Sequence, residues 1–91
     1  MKRYHASVTV TLRKGILDVQ GKTVEHALHG IGFSAVSDVR IGRHVDLTVL
    51  ADSQDHAREL VHGACNRLIA NPIMEDFHIE IREHEHAEVA A

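Results

Sequence analysis

Residues 39–50 read Val39-Arg40-Ile41-Gly42-Arg43-His44-Val45-Asp46-Leu47-Thr48-Val49-Leu50, and they alternate between apolar and polar side chains on both sides of a glycine. A period of two on each side of a turn signal such as Gly42-Arg43 is typical of an antiparallel β-hairpin with one apolar face. A lone hairpin is only marginally stable in water, so the flanking chain must cover that face.

The chain before the hairpin predicts a strand followed by a helix. Apolar side chains take every second position of the strand (Tyr4, Ala6, Val8, Val10 and Leu12). Asp18 is a predicted N-cap for the helix, since its carboxylate can accept from free amides of the first turn. The helical stripe is Val24, Ala27, Leu28 and Ile31, and the helix is expected to end at Gly30 and Gly32.

The chain after the hairpin predicts a helix followed by a strand. Asp52-Ser53 is a helix start signal, and Asn71-Pro72 is a stop, because the residue before proline is pushed out of the helical region. The predicted buried stripe of this helix is Ala57, Leu60, Val61, Ala64, Cys65 and Leu68. The last strand alternates through Phe77, Ile79 and Ile81.

The element order is β-α-β-β-α-β, which predicts an α+β, ferredoxin-like fold. Right-handed crossovers place both helices on one face of a four-stranded antiparallel sheet, with the first and third strands central. Residues 1–82 are expected to form a single domain, and the His- and Glu-rich residues 83–91 a frayed tail. The other sheet face is semi-polar, so a homodimer, or a tetramer, through that face or a free edge is a natural expectation.

Composition excludes several classes of protein. The net charge of −3 and the 3% aromatic content argue against a nucleic-acid binder, which needs a basic face and stacking aromatics. The single cysteine excludes an internal disulfide, and no long apolar run or signal peptide is present. We therefore expect a cytoplasmic chain that binds neither nucleic acid nor membrane.

Candidate catalytic groups are scarce despite nine histidines. His84 and His86 could share a face and bind a divalent metal, but no further ligand stands at a recognised spacing, so we predict no metal site. Cys65 falls on the apolar side of the second helix, where a thiol behaves as a small hydrophobe. No phosphate-binding glycine motif is present. The sequence therefore predicts no catalytic residue on this chain.

Two loops have unusual chemistry because they carry aliphatic residues in connections that should be polar. One covers residues 15–21 and the other residues 70–76. Either these side chains tuck under the ends of the domain, or they form exposed apolar patches rimmed by charge, which is the usual form of a partner-binding site. The candidate partner-binding residues are Gly15, Ile16, Leu17, Asp18, Gln20 and Gly21 in the first loop, and Asn71, Pro72, Ile73, Glu75, Asp76 and Phe77 around the second.

The same loops carry a family resemblance. Residues 12–24, LRKGILDVQGKTV, are similar to the L-K-x-G-V-L-D-P-Q-G-x-A-V segment of the PurS family. Residues 39–43, VRIGR, resemble its V-R-x-G-K hairpin, and residues 65–77, CNRLIANPIMEDF, resemble its C-x-x-L-L-A-N-P-V-I-E-D-Y segment. Val19 stands where the family usually has proline, which loosens the helix start. The likeness spans residues 3–82 in order.

The resemblance implies a role in purine biosynthesis. PurS is the small subunit of multi-chain phosphoribosylformylglycinamidine (FGAM) synthase, a ligase that uses glutamine and ATP to convert FGAR to FGAM. A large subunit carries ATP, magnesium and the amidation chemistry, and a glutaminase subunit releases ammonia. The small subunit is a non-catalytic bridge, a homodimer needed for assembly and ammonia transfer, and no cofactor is expected on it.

Two alternatives from other classes remain at this stage. A small-ligand regulatory dimer shares the β-α-β-β-α-β order and would bind an amino acid or nucleotide by itself. A metal-binding protein would use the histidines, and trimming residues 83–91 would abolish its zinc or nickel uptake.

Overall fold

The computed structural model describes residues 1–83, so the predicted tail, with His84 and His86, lies outside the described residues apart from Glu83. The element order is β1 (Lys2–Leu12), α1 (Val19–Gly30), β2 (Arg43–Ala51), α2 (Gln54–Ala64), a π-helical turn (Cys65–Ile69) and β3 (Glu75–Glu83). Within these residues, neither helix is long and apolar enough to cross a membrane.

The three strands form one antiparallel sheet in the order β2-β1-β3. In the register, Val8 of β1 faces Val45 of β2 and Ile79 of β3. The α+β class and the central position of the first strand are confirmed. The neighbours of β1 are also those expected of the predicted order. The difference is that β2, expected to be central, lies at an edge, because no fourth strand flanks it within the described residues.

The first half of the predicted hairpin, Val39 to Ile41, is not a strand in residues 1–83. Its amides bond to carboxylates of the α1 region instead of to a neighbouring strand: Ile41 N–H donates to Asp18 Oδ2 at 2.7 Å, and Val39 N–H donates to Glu25 Oε1 at 3.3 Å. Backbone donors satisfied in this way do not need a sheet partner. The alternation of side chains therefore predicted a strand that residues 39–41 do not form.

The core lies between the sheet and α2. Its buried apolar side chains are Tyr4, Ala6, Val8, Val10, Ala51, Ala57, Val61, Cys65, Ala70, Ile79 and Ile81. The predicted stripe of α2 is too wide: Ala57, Val61 and Cys65 are buried, whereas Leu60 is 44% and Leu68 is 87% exposed. A narrow stripe suffices because α2 is the only helix that packs substantially on the sheet in the described structure.

The helix α1 does not lie on the sheet, which corrects the prediction of two helices covering one face. Its ends are as predicted: the Asp18 side chain accepts from Gly21 N–H, and the chain leaves the helix through Gly32, which has a φ of +105°. The apolar stripe is largely uncovered, with Val24 38% and Ile31 72% exposed. Residues 19–41 thus form an arm, composed of α1 and the segment that returns along it.

The second face of the sheet is open and polar, as expected from β1. Asp46 Oδ1 is its most heavily bonded atom: Ser7 Oγ donates to it at 3.1 Å, and His44 Nε2 and His5 Nε2 lie 2.9 and 3.3 Å away. These contacts hold the pKa of Asp46 below its usual value, with the hydrogen bond from His44 contributing most. The open face therefore presents histidine and hydroxyl groups rather than an apolar surface.

Replacing Gly42 with alanine is expected to destabilise the fold, because a Cβ there would lie 2.3 Å from the Val10 carbonyl oxygen. Overpacking against backbone lowers the free energy of unfolding by about 1–3 kcal/mol. Gly63→Ala is the matched control, since a Cβ at that position of α2 meets nothing within 4 Å. It should stabilise by about 0.5–1 kcal/mol through helix propensity. Urea unfolding of both variants measures the difference, and equal losses would contradict the assignment.

Candidate functional site

The two aliphatic loops lie at the same end of the sheet. Leu12, the last residue of β1, pairs with Glu75, the first residue of β3. Beyond that pair, Arg13 N–H donates to the Met74 carbonyl at 2.9 Å. The chain therefore enters the first loop and leaves the second side by side. We define this end of the molecule, residues 13–22 and 66–77, as the loop end.

Asp18 holds the first loop together. Its Oδ1 accepts from Gly21 N–H at 2.9 Å, and its Oδ2 accepts from Ile41 N–H. These two backbone hydrogen bonds, with the nearby charge of Arg40, hold the pKa of Asp18 below its usual value. Gly21 is buried, and a Cβ there would lie 2.3 Å from the Val39 carbonyl oxygen, so the close approach of the two backbones requires glycine. The carboxylate thus ties the loop, the start of α1 and the returning segment into one unit.

The side chains that this unit presents differ in exposure. Leu17 is 66% and Val19 is 65% exposed, whereas Ile16 is half-buried. Gln20 is exposed, and Gly15, with a φ of +91°, forms the turn that aims the loop outward. Of the aliphatic pair in this loop, Leu17 rather than Ile16 is therefore the one available to a partner.

An Arg43–Glu75 ion pair fixes the second loop. Arg43 donates to both oxygens of Glu75, at 2.8 and 2.9 Å, and to the Ile69 carbonyl at 2.6 Å. Glu75 Oε1 also accepts from Asn71 N–H at 2.8 Å. The bidentate guanidinium, more than the backbone bond, lowers the pKa of Glu75 to about 2. The same pairing raises the pKa of Arg43.

Smaller contacts complete the loop. Asn71 Oδ1 accepts from Ile73 N–H at 3.0 Å, which closes an Asx turn around Pro72. Arg13 donates to the Pro72 carbonyl and lies 3.5 Å from an Asp76 carboxylate oxygen. Phe77 is half-buried, with its ring 5.3 Å from the His62 ring in an edge-to-face arrangement.

This rigid loop holds its aliphatic side chains outward. Ile73 is 81% exposed, Met74 is 43% exposed, and Leu68 of the π-helical turn is 87% exposed. The backbone around them is held at several points: Glu75 accepts from the Asn71 amide, Arg43 donates to the Ile69 carbonyl, and Arg13 donates to the Pro72 and Met74 carbonyls. A cluster of exposed aliphatic residues on an ordered frame is typical of a protein-binding surface.

Metal-binding groups and the single thiol were the candidate reactive features of the sequence. Within residues 1–83, no group of three or more histidine, cysteine or carboxylate side chains is arranged to hold a metal ion. The thiol of Cys65 is buried in the core, and burial raises its pKa.

Comparison with known proteins decides the family. Residues 5–83 match the PurS family model, described as phosphoribosylformylglycinamidine (FGAM) synthase. The chain belongs to the PurS family. It is 40% identical over 80 residues to the FGAM synthase subunit PurS of Bacillus subtilis, covering 88% of this chain and 94% of that protein.

Solved PurS structures share the fold. The PurS of Methanocaldococcus jannaschii superposes with a TM-score of 0.78 at 32% identity, over 87% of this chain and 95% of that one. A chain of the PurLQS structure from Thermotoga maritima superposes with a TM-score of 0.79 at 31% identity, over 91% and 99%. The comparisons favour an FGAM synthase subunit, a ligase component, over a regulatory dimer or a metal carrier.

Both candidate loops lie within the PurS match, and the structure brings them together, but it separates their residues by role. Gly15, Asp18, Gly21, Asn71 and Glu75 build the frame, whereas Leu17 and Ile73 stand on it. Sequence reasoning missed Arg13 and Leu68 of the loop end, and it also missed Arg43, whose side chain fixes the second loop. Arg43 could have been noticed as a cation in a predicted turn. Leu68 could not, because its helical position predicts burial.

Glu75→Gln is expected to lower the free energy of unfolding at neutral pH by about 1–3 kcal/mol, because the amide cannot replace the charge-assisted bonds to Arg43. A carboxylate whose folded pKa is about 2, below its usual 4.5, adds stability that is present above pH 4.5 and lost as the pH falls toward 2. The variant should therefore lose less stability than the parent in that acid window. Denaturant titrations at pH 3 and pH 7 measure this. Glu80→Gln, on the open face, is the control and should retain the parent's acid dependence.

Proposed function

We propose that this chain is the non-catalytic bridging subunit of multi-chain FGAM synthase, needed for assembly and for ammonia to pass from the glutaminase subunit to the large synthetase subunit. The observation that carries the proposal is the pair of exposed aliphatic surfaces at the loop end. One is built on Leu17 and Val19, and the other on Leu68, Ile73 and Met74. Two separate surfaces on one rigid frame are what a subunit needs to hold two different proteins at once.

The chemistry of the reaction belongs, in this proposal, to the partners. The large subunit binds ATP and magnesium and forms the new C–N bond, and the glutaminase releases ammonia. This chain works in the cytoplasm with them and contributes position only. The bonded frame around Asp18 and Glu75 supports that role, because docking onto preformed surfaces avoids the cost of ordering loops on binding.

The chain is also proposed to form a homodimer, or a tetramer, through its arm. Within residues 1–83, the stripe of α1 is largely uncovered, and the inner face of β2 is only partly covered, with Val45, Leu47 and Val49 half-buried. Within one chain these two apolar faces lie apart. In a dimer, the α1 stripe of one copy can cover the β2 face of the other. The arm of each copy then lies against the β2 side of the other.

The edges of the sheet favour the same pairing. Arg58 donates to the Ile79 carbonyl and Gln54 to the Ile81 carbonyl, so side chains of α2 occupy the outer edge of β3. No such contact reaches the outer edge of β2 within residues 1–83. A strand of the second copy beside β2 supplies the fourth strand that the sequence predicts, and it removes an exposed edge.

Reconstitution from purified subunits tests the bridging role. The large subunit and the glutaminase are mixed with and without this chain, and complexes are sized by analytical ultracentrifugation. We expect a three-component complex only when the chain is present, and glutamine-dependent FGAM synthesis to require it, while the ammonia-dependent rate of the large subunit changes little. Stable association and full glutamine-dependent activity of the other two subunits without the chain would contradict the proposal.

A further inference from the structure

Three arginine side chains donate to main-chain carbonyls in or beside the two aliphatic loops: Arg13 to Pro72, Arg40 to Leu12 and Arg43 to Ile69. Each of these bonds joins residues that are at least 26 positions apart in the sequence. The bonds therefore connect segments that are not neighbours along the chain. We call Arg13, Arg40 and Arg43 the loop arginines.

Each loop arginine is also close to a carboxylate of the same loops: Arg13 to Asp76, Arg40 to Asp18 and Arg43 to Glu75. The closest contact is that of Arg43, whose guanidinium donates to both oxygens of Glu75 at 2.8 and 2.9 Å. A planar guanidinium with five N–H groups can bond a carboxylate and a carbonyl at the same time, whereas the ammonium of lysine carries the same charge at a single point. These contacts therefore depend on the shape of arginine as well as on its charge.

The segments that the loop arginines join lie largely outside the core. Of residues 12–18, 39–43 and 69–76, only Ala70 belongs to the buried core. The rest of that core is formed by the sheet, α2 and the start of the π-helical turn. A change that removes the guanidinium bonds but keeps the charge should therefore leave the core folded and alter mainly how the two loops stand relative to each other.

The two exposed aliphatic surfaces stand on these segments, with Leu17 in the first loop and Ile73 in the second. Arg13 crosses from the base of the first loop to the second: its amide donates to the Met74 carbonyl at 2.9 Å, and its side chain donates to the Pro72 carbonyl. Two partners that dock on these surfaces are placed relative to each other by the loops beneath them. A shift between the loops is therefore a shift between the partners.

Resting on the proposed bridging function, we infer that the loop arginines are positioning residues that align the glutaminase with the large subunit for ammonia transfer. Ammonia released by the first partner must enter the second before it is lost to water. A misplacement of about 1 Å can reduce a reaction step by up to about 100-fold. Loosened loops therefore let ammonia escape even when all three subunits remain together. Glutamine is still hydrolysed to glutamate, but less FGAM is formed for each glutamate released.

The test uses the full chain reconstituted with both partner subunits. The variant Arg13→Lys/Arg40→Lys/Arg43→Lys keeps the net charge and removes the guanidinium geometry. Its matched control makes the same chemical change at three arginines outside the loop end, in Arg3→Lys/Arg58→Lys/Arg82→Lys. The measured quantity is the ratio of FGAM formed to glutamate released, with glutamine as the nitrogen donor. A saturating concentration of the chain ensures that weaker binding alone does not lower this ratio.

We expect the parent and the control to form about one FGAM per glutamate, and the loop-arginine variant to form about half as much or less. The ammonia-dependent rate of the large subunit, measured in the same mixtures, should not change. The single variant Arg43→Lys should show a smaller loss in the ratio, because two of the three loop arginines remain. It keeps the inference testable if circular dichroism shows that the triple variant does not fold.

Three results would overturn the inference. One is the parent's ratio of FGAM to glutamate in the folded loop-arginine variants. Another is an equal loss in the control, which would show sensitivity to any replacement of arginine. The third is a lower rate of FGAM synthesis with an unchanged ratio, which would assign these arginines a structural role in assembly only. In each case, a parent chain that still joins the two subunits leaves the bridging function standing, so the two failures are distinguishable.

Discussion

Replacing Ile73 with glutamate is expected to lower glutamine-dependent FGAM synthesis at least tenfold while the isolated chain keeps its fold. Ile73 is 81% exposed, so the substitution removes no core contact. In a complex, the same side chain would be covered by a partner, and a carboxylate buried there without a counter-charge costs several kcal/mol. Loss of only 1.4 kcal/mol of binding already weakens a complex tenfold.

The measurement compares two rates on the reconstituted enzyme. The glutamine-dependent rate reports assembly and ammonia transfer, and the ammonia-dependent rate of the large subunit reports its chemistry alone. Only the first should fall. Thr9→Glu, an exposed position on the open face, is the control and should change neither. If Ile73→Glu leaves both rates normal, the second loop has a structural role only.

In the first loop, the structure favours Leu17 over Ile16 as the position for the corresponding charge substitution. The pattern of residues 15–21 does not distinguish Ile16 from Leu17 as the contact residue. Ile16 is half-buried and its amide donates to Arg13 O at 3.1 Å, so a charge there threatens the fold itself. Leu17 is the exposed member of the pair. Periodicity gave no basis for this distinction, because exposure in a loop depends on how Asp18 folds the backbone back onto itself.

Local signals predicted the elements well. Alternation in β1, the N-caps at Asp18 and Ser53, and the stop before Pro72 all depend on neighbours within a few residues. These local signals predict the same helix or strand boundary regardless of how distant parts of the chain pack. The positions of β1, α1, β2, α2 and β3 along the chain and the neighbours of β1 followed from them with general rules of chain handedness, but the strand predicted at residues 39–41 did not form.

Long-range arrangement was harder to predict, and the errors share one cause. Val39 to Ile41 alternate as a strand does, but Asp18 and Glu25, more than a dozen residues away, take their amides. The stripe of α1 is amphipathic as a covering helix should be, yet it does not lie on its own sheet. A sequence records that an apolar face needs a cover but not whether the cover comes from the same chain. In a subunit that assembles with other chains, the cover can come either from the same chain or from a partner.

Ile31→Asp is expected to separate the homodimer, raising its dissociation constant about 100-fold. Ile31 is 72% exposed in the single chain, near the tip of the arm, and the proposed dimer places it against the β2 side of the second copy. An aspartate buried there without a partner costs roughly 3 kcal/mol, which corresponds to a factor of about 100. Sedimentation equilibrium over a concentration series measures the shift. Ser34→Asp, exposed on the same arm but polar, is the control and should dimerise normally.

The arm is the element whose energetics demand a second copy. An amphipathic helix of 12 residues is marginal in water when, as in residues 1–83, it packs substantially on no other helix or strand, because most helical stability comes from burying the apolar face. The bonds from Asp18 and Glu25 hold the base of the arm and its returning segment, but they leave Val24 and Ile31 in solvent. If Ile31→Asp and Val24→Asp both dimerise with the parent's affinity, the stripe is not the interface. The exposed edge of β2 would then have to supply the contact alone, and a charged substitution at its outward-facing residues would become the decisive measurement.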